Sequence, residues 1–221
     1  MTRFLLPSVC LLALAPAPAE EPKAKAPAAA KSLFDGKTLD GWKSSYEEHG
    51  GKVHVQDGAI VLEKGKKMTG VTYAKKDFPT TDYEVTLEGK KVDGGDFFCT
   101  TTFPVGDAHC SLVVGGWGGQ VVGLSSINGS DASENETTGS MPFKDGTWYK
   151  VRIRVTGAKI QAWIGDEQVV DVARKGKTFS TRIECEACHP FGVATYDTVG
   201  AVRDIKVRPL TDAEKKASEK R

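Results

Sequence analysis

The chain has 221 residues, with 30 Lys and Arg against 29 Asp and Glu and a formal net charge of +1. That balance excludes a nucleic-acid surface as the main business of the molecule, and equally an acidic solvating tail. The length fits one domain or at most two, the 39% hydrophobic content is enough for a real core, and 24 glycines suit a fold with many tight turns.

The first residues read as a secretory signal. Arg3 is the charged start, Phe4 to Leu14 is an apolar stretch too short to span a bilayer, and Ala17-Pro18-Ala19 is a small-residue cleavage site with the cut after Ala19. The expectation is a secreted or periplasmic protein with no stable membrane insertion after cleavage. Cys10 falls in the discarded leader. Residues 20–31, Ala, Pro and Lys without periodicity, read as a linker. The domain then runs from Ser32 to Leu210, and Thr211 to Arg221 is a charged tail, either a frayed helix beginning at Thr211 or disordered.

The domain opens on SLFDGKTLDGWK, Ser32 to Lys43. Asp35-Gly36 and Asp40-Gly41 turn the chain, while Phe34 and Trp42 bury against the core, since aromatic side chains carry much of a core's energy. Strands follow. Val53 and Val55, then Asp57-Gly58, then Ile60 and Leu62 make a hairpin signal. Tyr83, Val85 and Leu87 alternate with polar residues. Tyr149, Val151, Ile153 and Val155 fall on one face of a strand, and Lys150, Arg152 and Arg154 on the other, a solvated face. Residues 159–172 form a hairpin about Gly165-Asp166, and Ala201 to Leu210 alternates again. Eleven or twelve strands at regular spacing, with no sustained helical period, predict an all-β sandwich of two antiparallel sheets, a jelly roll.

Three stretches, LFDGKTLDGWK, VQDGAIVLEKG and GTWYKVRIRVTGAKIQAWIGDEQVVDV, with AVRDIKVRPL at the end, resemble the 3-keto-disaccharide hydrolase domain, also described as a 3-keto-glucoside lyase and hydratase domain. The likeness covers Ser32 to Leu210 and implies a concanavalin A-like jelly roll, of the kind laminin-G-like sandwiches share. It also implies chemistry on an oxidised sugar. A ketone at C3 acidifies the C2 proton, a base removes it, the group at C1 leaves, and water adds back. Such chemistry calls for a base poised near neutral pH and a stabiliser of the enolate oxygen, a cation or a divalent metal. Members of the family carry an Arg after a Gly-rich stretch, a Glu and Gln alternation on the next strand, and a Gln-Asp-His-Gly cluster before the last strand. Here Cys99 stands where the Arg would be, Ser111, Leu112 and Val113 replace the alternation, and Thr195, Tyr196 and Asp197 replace the acid and His. A non-catalytic carbohydrate-binding or interaction module of the same fold is the alternative reading.

Gly106 to Gly139 is the richest stretch for a ligand site. Gly115-Gly116-Trp117-Gly118-Gly119 lets backbone approach a partner and displays an indole. The expected ligand is a small saccharide stacked on Trp117, with Gln120, Asp131 and Asn135 in contact, Ser125 nearby, and Glu134, Glu136 or His109 as catalytic groups. The plainer alternative is a bulged glycine strand followed by a solvated acidic loop, whose oxygens could also suit Ca²⁺ although the spacing matches no standard calcium loop. Asn128 and Asn135 stand in glycosylation-type triplets.

Cys99, Cys110, Cys185 and Cys188 are four, an even number, which in an exported chain favours disulfides with three pairings on paper. Cys99 and Cys110 flank a turn at Pro104–Asp107, which suggests a cross-strand bond, and Cys185 and Cys188 suggest a local one. CEACH, Cys185 to His189, also matches the c-type haem attachment pattern, but its strand-like context opposes haem. Zinc on these cysteines with His109 or His189 is a further alternative.

Overall fold

The computed structural model describes residues 29–219. The leader, Cys10, the linker through residue 28, and Lys220 and Arg221 lie outside the described residues. Fifteen strands appear in order: β1 (Lys31–Ser32), β2 (Trp42–Ser44), β3 (Val53–Gln56), β4 (Ala59–Leu62), β5 (Met68–Tyr73), β6 (Tyr83–Gly94), β7 (Thr100–Val105), β8 (Ala108–Gly115), β9 (Val121–Ser125), β10 (Gly139–Ser140), β11 (Trp148–Val155), β12 (Lys159–Ile164), β13 (Glu167–Ala173), β14 (Gly192–Tyr196) and β15 (Thr198–Pro209). That exceeds the eleven or twelve that alternation predicts, because β1, β2 and β10 are only two or three residues long and leave no period to read.

The strands form two antiparallel sheets, an open jelly-roll sandwich. One has eight strands in the order β13-β12-β11-β6-β15-β4-β3, with β1 on β15. The other has seven, β10-β9-β8-β7-β14-β5-β2. The alternation seen in the sequence is the alternation of the fold. Tyr83, Val85 and Leu87 on β6 and Val151, Ile153 and Val155 on β11 all face the sealed space between the sheets, in a register that sets Val151 opposite Leu87. Phe103, Leu112 and Leu124 answer them from the seven-stranded sheet. The opening segment packs as expected. Trp42 is buried with its indole N–H donating to the Leu33 carbonyl at 2.9 Å, and its ring meets Tyr73 edge-on at 5.4 Å. Asp35 accepts from the backbone N–H groups of Lys37 and Thr38, both at 2.8 Å, closing the first turn.

The Asp57-Gly58 hairpin forms with Gln56 opposite Ala59. The next hairpin corrects an expectation. Its turn is Gly106-Asp107, with Gly106 at φ +68°, so Val105 pairs with Ala108 and Phe103 with Cys110. The turn is centred one residue beyond the middle of the expected Pro104–Asp107 turn, and in this register Cys110 stands opposite Phe103, not Cys99. Cys99 instead faces Gly89 on the opposite sheet, and both thiols are free and buried.

The face carrying Lys150, Arg152 and Arg154 is not simply solvated. Glu84, only 6% exposed, accepts two bonds from Arg154 (3.1 and 2.7 Å) and two from Arg208 (3.1 and 2.7 Å). Arg208 and Arg154 also reach Glu214. Arg152 lies over the Trp163 ring, 3.9 Å from its centre. Glu214 belongs to the helix Asp212–Glu219, so that of the two readings of the tail the structure has the helix starting at Thr211 rather than the disordered end. Thr211 starts it with a capping box: the Glu214 N–H donates to Thr211 Oγ1 at 3.2 Å, and Thr211 N–H donates to the Glu214 carboxylate at 2.9 Å.

Glu84→Gln is expected to destabilise the fold by about 3 kcal/mol in denaturant titration, because two half-buried guanidiniums lose their shared carboxylate. The Glu214 carboxyl is held down to about 2, first by the Arg208 hydrogen bond, against an ordinary 4.5. Its stabilising contribution is therefore complete above about pH 4.5 and is lost as pH falls towards 2. Hydrogen exchange should find the C-terminal helix opening in that acid window, ahead of β6 and β11.

Candidate functional site

The outer face of the seven-stranded sheet is built from small side chains. Ser125, Ser111, Thr102, Gly192 and Thr72 lie in register across five strands, and Thr100, Ala194 and Gly70 form the row beside them. Residues 178–190 cross this low face as a strap. The strap is anchored at one end to the loop after β9, where Asn128 N–H donates to the Thr178 carbonyl at 2.9 Å and Ser180 N–H to the Ser126 carbonyl at 3.1 Å. It continues as a 3-10 helix, Ile183–Cys188. At the far end Thr72 Oγ1 donates to the Ala187 carbonyl at 2.8 Å and Tyr46 O–H donates to the Glu184 carbonyl. Gly192 makes the seating possible, because a Cβ there would lie 2.9 Å from Cys188 Cβ.

Between the strap and the β8–β9 turn lies a cavity of about 260 Å³. Thr100, Ser111, Val113 and Ser125 are on its floor strands; Phe97, Tyr196, Met68 and Cys185 give it apolar walls; Asp96, Trp117, Arg182 and Glu184 complete the lining. Met68, Cys185, Tyr46, Phe97 and Tyr196 cluster on the β5 side. On the β9 side Arg182 pairs with Asp131 and, at 3.2 Å, with Glu184. The cavity is thus walled on its β5 and β9 sides and half open to solvent.

Trp117 sits at the rim, 44% exposed. It is held there by a glycine turn, with Gly115 at φ +82° and Gly118 at φ +87°, and Trp117 itself at φ +47°, ψ +56°. A bulky residue in that region is strained by roughly 1–3 kcal/mol. The turn is pinned from below, since Gly118 N–H donates to Asp96 Oδ2 at 3.1 Å. The Arg182 guanidinium lies 6.0 Å from the indole centre.

The charged groups are held in fixed states. Hydrogen bonding to Glu184 raises Arg182, and the same bond from Arg182 lowers the Glu184 carboxyl. Burial pushes the Cys185 thiol up to about 12, which keeps it protonated.

Of the residues singled out in the sequence, Trp117 and Ser125 line the cavity, and Asp131 stands behind it. Asp131 accepts from Ser125 Oγ (3.2 Å) and Ser126 Oγ (3.3 Å) and pairs with Arg182. The structure does not bring the others there. Glu134 is exposed and does not line the cavity. Glu136 pairs with Lys177 at 2.8 Å. Gln120 accepts from Ser140 Oγ at 3.3 Å, away from the cavity. Asn135 is spent on its own loop, with Nδ2 donating to Leu124, Ser130 and Asp131 carbonyls and Oδ1 accepting from Thr137. That leaves it neither a ligand donor nor a free glycosylation acceptor. His109 stacks on His189, ring centres 4.0 Å apart, and burial lowers it, with His189 adding to the effect.

CEACH serves the strap. Cys188 is packed over Gly192 and within reach of the hydroxyls of Ser45 and Tyr46, each 3.6 Å away. Cys185 faces the cavity, and both are free thiols rather than a disulfide. The 3-10 turn sends them to different neighbours, and neither is presented outward for haem attachment. Among the described residues no group of three or more His, Cys, Asp or Glu converges as a metal site.

Sequence reasoning missed Arg182, Glu184, Asp96, Phe97 and Thr100. GGDFFCT and STRIE do carry them, but no spacing rule links two stretches more than eighty residues apart.

A family model of the 3-keto-alpha-glucoside-1,2-lyase-like domain matches residues 29–208. The chain belongs to that family. Its fold is similar to carbohydrate-binding module CBM66 from Bacillus subtilis, at 12% identity and TM-score 0.50, covering 76% of this chain and 95% of the module. It is similar to domain 4 of AbnA, a GH43 extracellular arabinanase from Geobacillus stearothermophilus in complex with arabinotriose, at 15% identity and TM-score 0.51, covering 80% and 87%. It is also similar to Crh5 transglycosylase in complex with NAG, at 12% identity and TM-score 0.55, covering 85% and 88%. No curated protein sequence matches the chain. Membership in the lyase-like family accounts for the two-sheet frame and the opening motif.

In peptide mapping by mass spectrometry, Cys99, Cys110, Cys185 and Cys188 should all be alkylated by iodoacetamide after unfolding without reductant, and all be protected in the native protein. A disulfide-linked peptide would contradict this arrangement.

Proposed function

We propose that this lyase-like domain binds a small saccharide in the cavity beneath Trp117, and that it does so as a protein exported to the periplasm or beyond. One observation carries the reading. A strained glycine turn holds an indole out at the rim of a half-open cavity with apolar side walls. Strain of that kind persists where it serves a site. An aromatic face with a few polar groups beneath it is how proteins hold a sugar ring. At about 260 Å³ the cavity falls just under the roughly 300–1,000 Å³ typical of ligand pockets, in keeping with a single ring. The neighbours named as a carbohydrate-binding module and an arabinotriose complex share the frame and support the same direction. The leader Met1 to Ala19 supports export.

Binding without turnover is the form the chemistry favours. Arg182 engages both Glu184 and Asp131, the Cys185 thiol stays protonated, and Asp96 already accepts from the backbone N–H groups of Phe97 and Gly118, so each of these groups is occupied in holding the site together. The second reading is elimination from a 3-keto-glucoside. It is favoured by membership in the lyase-like family and by a guanidinium at the cavity wall. In that reading Glu184 or Asp96 removes the C2 proton and Arg182 steadies the enolate oxygen.

Trp117→Ala should weaken binding of methyl glycosides at least tenfold by calorimetry, while Glu134→Ala and Glu136→Ala leave it within twofold. Equal binding by the Trp117 variant would remove the site from under the indole. Incubation with a 3-keto-disaccharide separates the two readings. Release of the C1 substituent above blank, abolished by Glu184→Gln with affinity retained, would establish elimination, and its absence leaves the binding reading.

A further inference from the structure

The floor of the cavity holds several hydroxyls, and all but one are engaged. Ser111 and Thr102 share a hydrogen bond at 2.8 Å. Ser125 donates to Asp131 at 3.2 Å. Thr100 lines the same cavity and is 1% exposed, yet its Oγ1 has no hydrogen-bond partner among the described residues. A buried hydroxyl left unpaired is destabilising, and valine would fill the same volume without that cost. Thr195 Oγ1 is also unpaired, but it faces the other way, with its methyl against Gly200 in the interior. The setting of Thr100 is apolar: Ala194 stands opposite it on β14, and Phe97, Met68 and Val113 share the cavity wall. It is therefore the one hydroxyl of the cavity floor without a partner, set among apolar neighbours and below an exposed indole.

The charge around it has a sign. Asp96 and Glu184 line the cavity against one lining cation, Arg182, whose donors are taken by Glu184 and by Asp131 behind it. Lys67 is a further cation felt by Glu184. The carboxylates outnumber the cations, and the lining guanidinium is already satisfied.

From these observations we infer that Thr100 is the specificity-determining residue of the cavity: its hydroxyl hydrogen-bonds one oxygen of an uncharged sugar ring seated under Trp117, and the carboxylates around it exclude sugars that bear an acid group. The inference rests on the saccharide-binding reading above and names which sugars that site takes. In this arrangement one oxygen of the ring points down at Thr100, and the ring's apolar patches lie against Phe97 and Trp117. A site built to pair a hydroxyl discriminates strongly, because the wrong ligand leaves the buried group unpaired again.

The test is calorimetric titration of the whole protein with the methyl glycosides of glucose, galactose and 3-keto-glucose, and with methyl glucuronide, together with Trp117 fluorescence. At least one neutral glycoside should bind, and methyl glucuronide should bind at least tenfold more weakly than that glycoside. Thr100→Val should lose at least tenfold in affinity for the neutral glycoside while unfolding at the same or a higher temperature, and Thr100→Ser should recover most of the loss. A neutral glycoside that binds wild type and Thr100→Val equally would overturn the role of Thr100 alone, leaving its hydroxyl to water. Methyl glucuronide binding as tightly as methyl glucoside would overturn the exclusion of acids. If no glycoside binds the wild type, the saccharide reading itself falls and this inference with it.

Discussion

The outward side chains of the seven-stranded sheet are small, and that constraint runs through the rest of the molecule. A row of serine, threonine and glycine across five strands keeps the face low enough for residues 178–190 to lie on it. With Gly192 replaced by any larger residue, the strap could not seat, since its backbone and Cys188 already occupy the space a Cβ would need. The strap in turn supplies Arg182, Glu184 and Cys185. An open sheet face thereby becomes a half-open cavity of about 260 Å³.

Ionic contacts are used here for placement more than for stability. Arg182 ties the strap to the loop after β9 through Asp131, and is itself fixed by Glu184. On the other sheet, Glu84 gathers Arg154 and Arg208 and, through them, the C-terminal helix. Both clusters leave each charge paired, which is the condition under which partly buried ions are tolerated. Their difference matters for function. The Glu84 cluster lies on the outer face of the eight-stranded sheet, whereas the Arg182 cluster borders the cavity and sets its electrostatic sign.

Trp117 and Thr100 break local rules in complementary ways. One is a large aromatic in a backbone conformation suited to glycine, and the other is a buried hydroxyl without a partner. Natural sequences are consistent across levels except where a site demands otherwise. Two exceptions bordering the same cavity, one at its rim and one at its floor, mark it more firmly than its volume does.

The sequence by itself determined the sandwich. Period-two alternation in β6, β11 and β15, the Asp57-Gly58 and Gly165-Asp166 turns, and the aromatic anchors of the opening motif are all local patterns, and local patterns survive reading along the chain. It also determined that Trp117 would be displayed, because glycines on both sides leave an indole little to pack against. Only the tertiary structure decided the site. The hairpin register turned on which of two adjacent positions made the tight turn, and a shift of that kind carried Cys110 away from Cys99. The acidic loop looked like the site because its carboxylates were close in sequence, yet Asn135 folds that loop onto its own carbonyls. The groups that do meet come from segments more than eighty residues apart, Asp96 and Thr100 on one side and Arg182 and Glu184 on the other. What joins them is the crossing of a strap over a sheet, and a crossing leaves no periodicity in the chain.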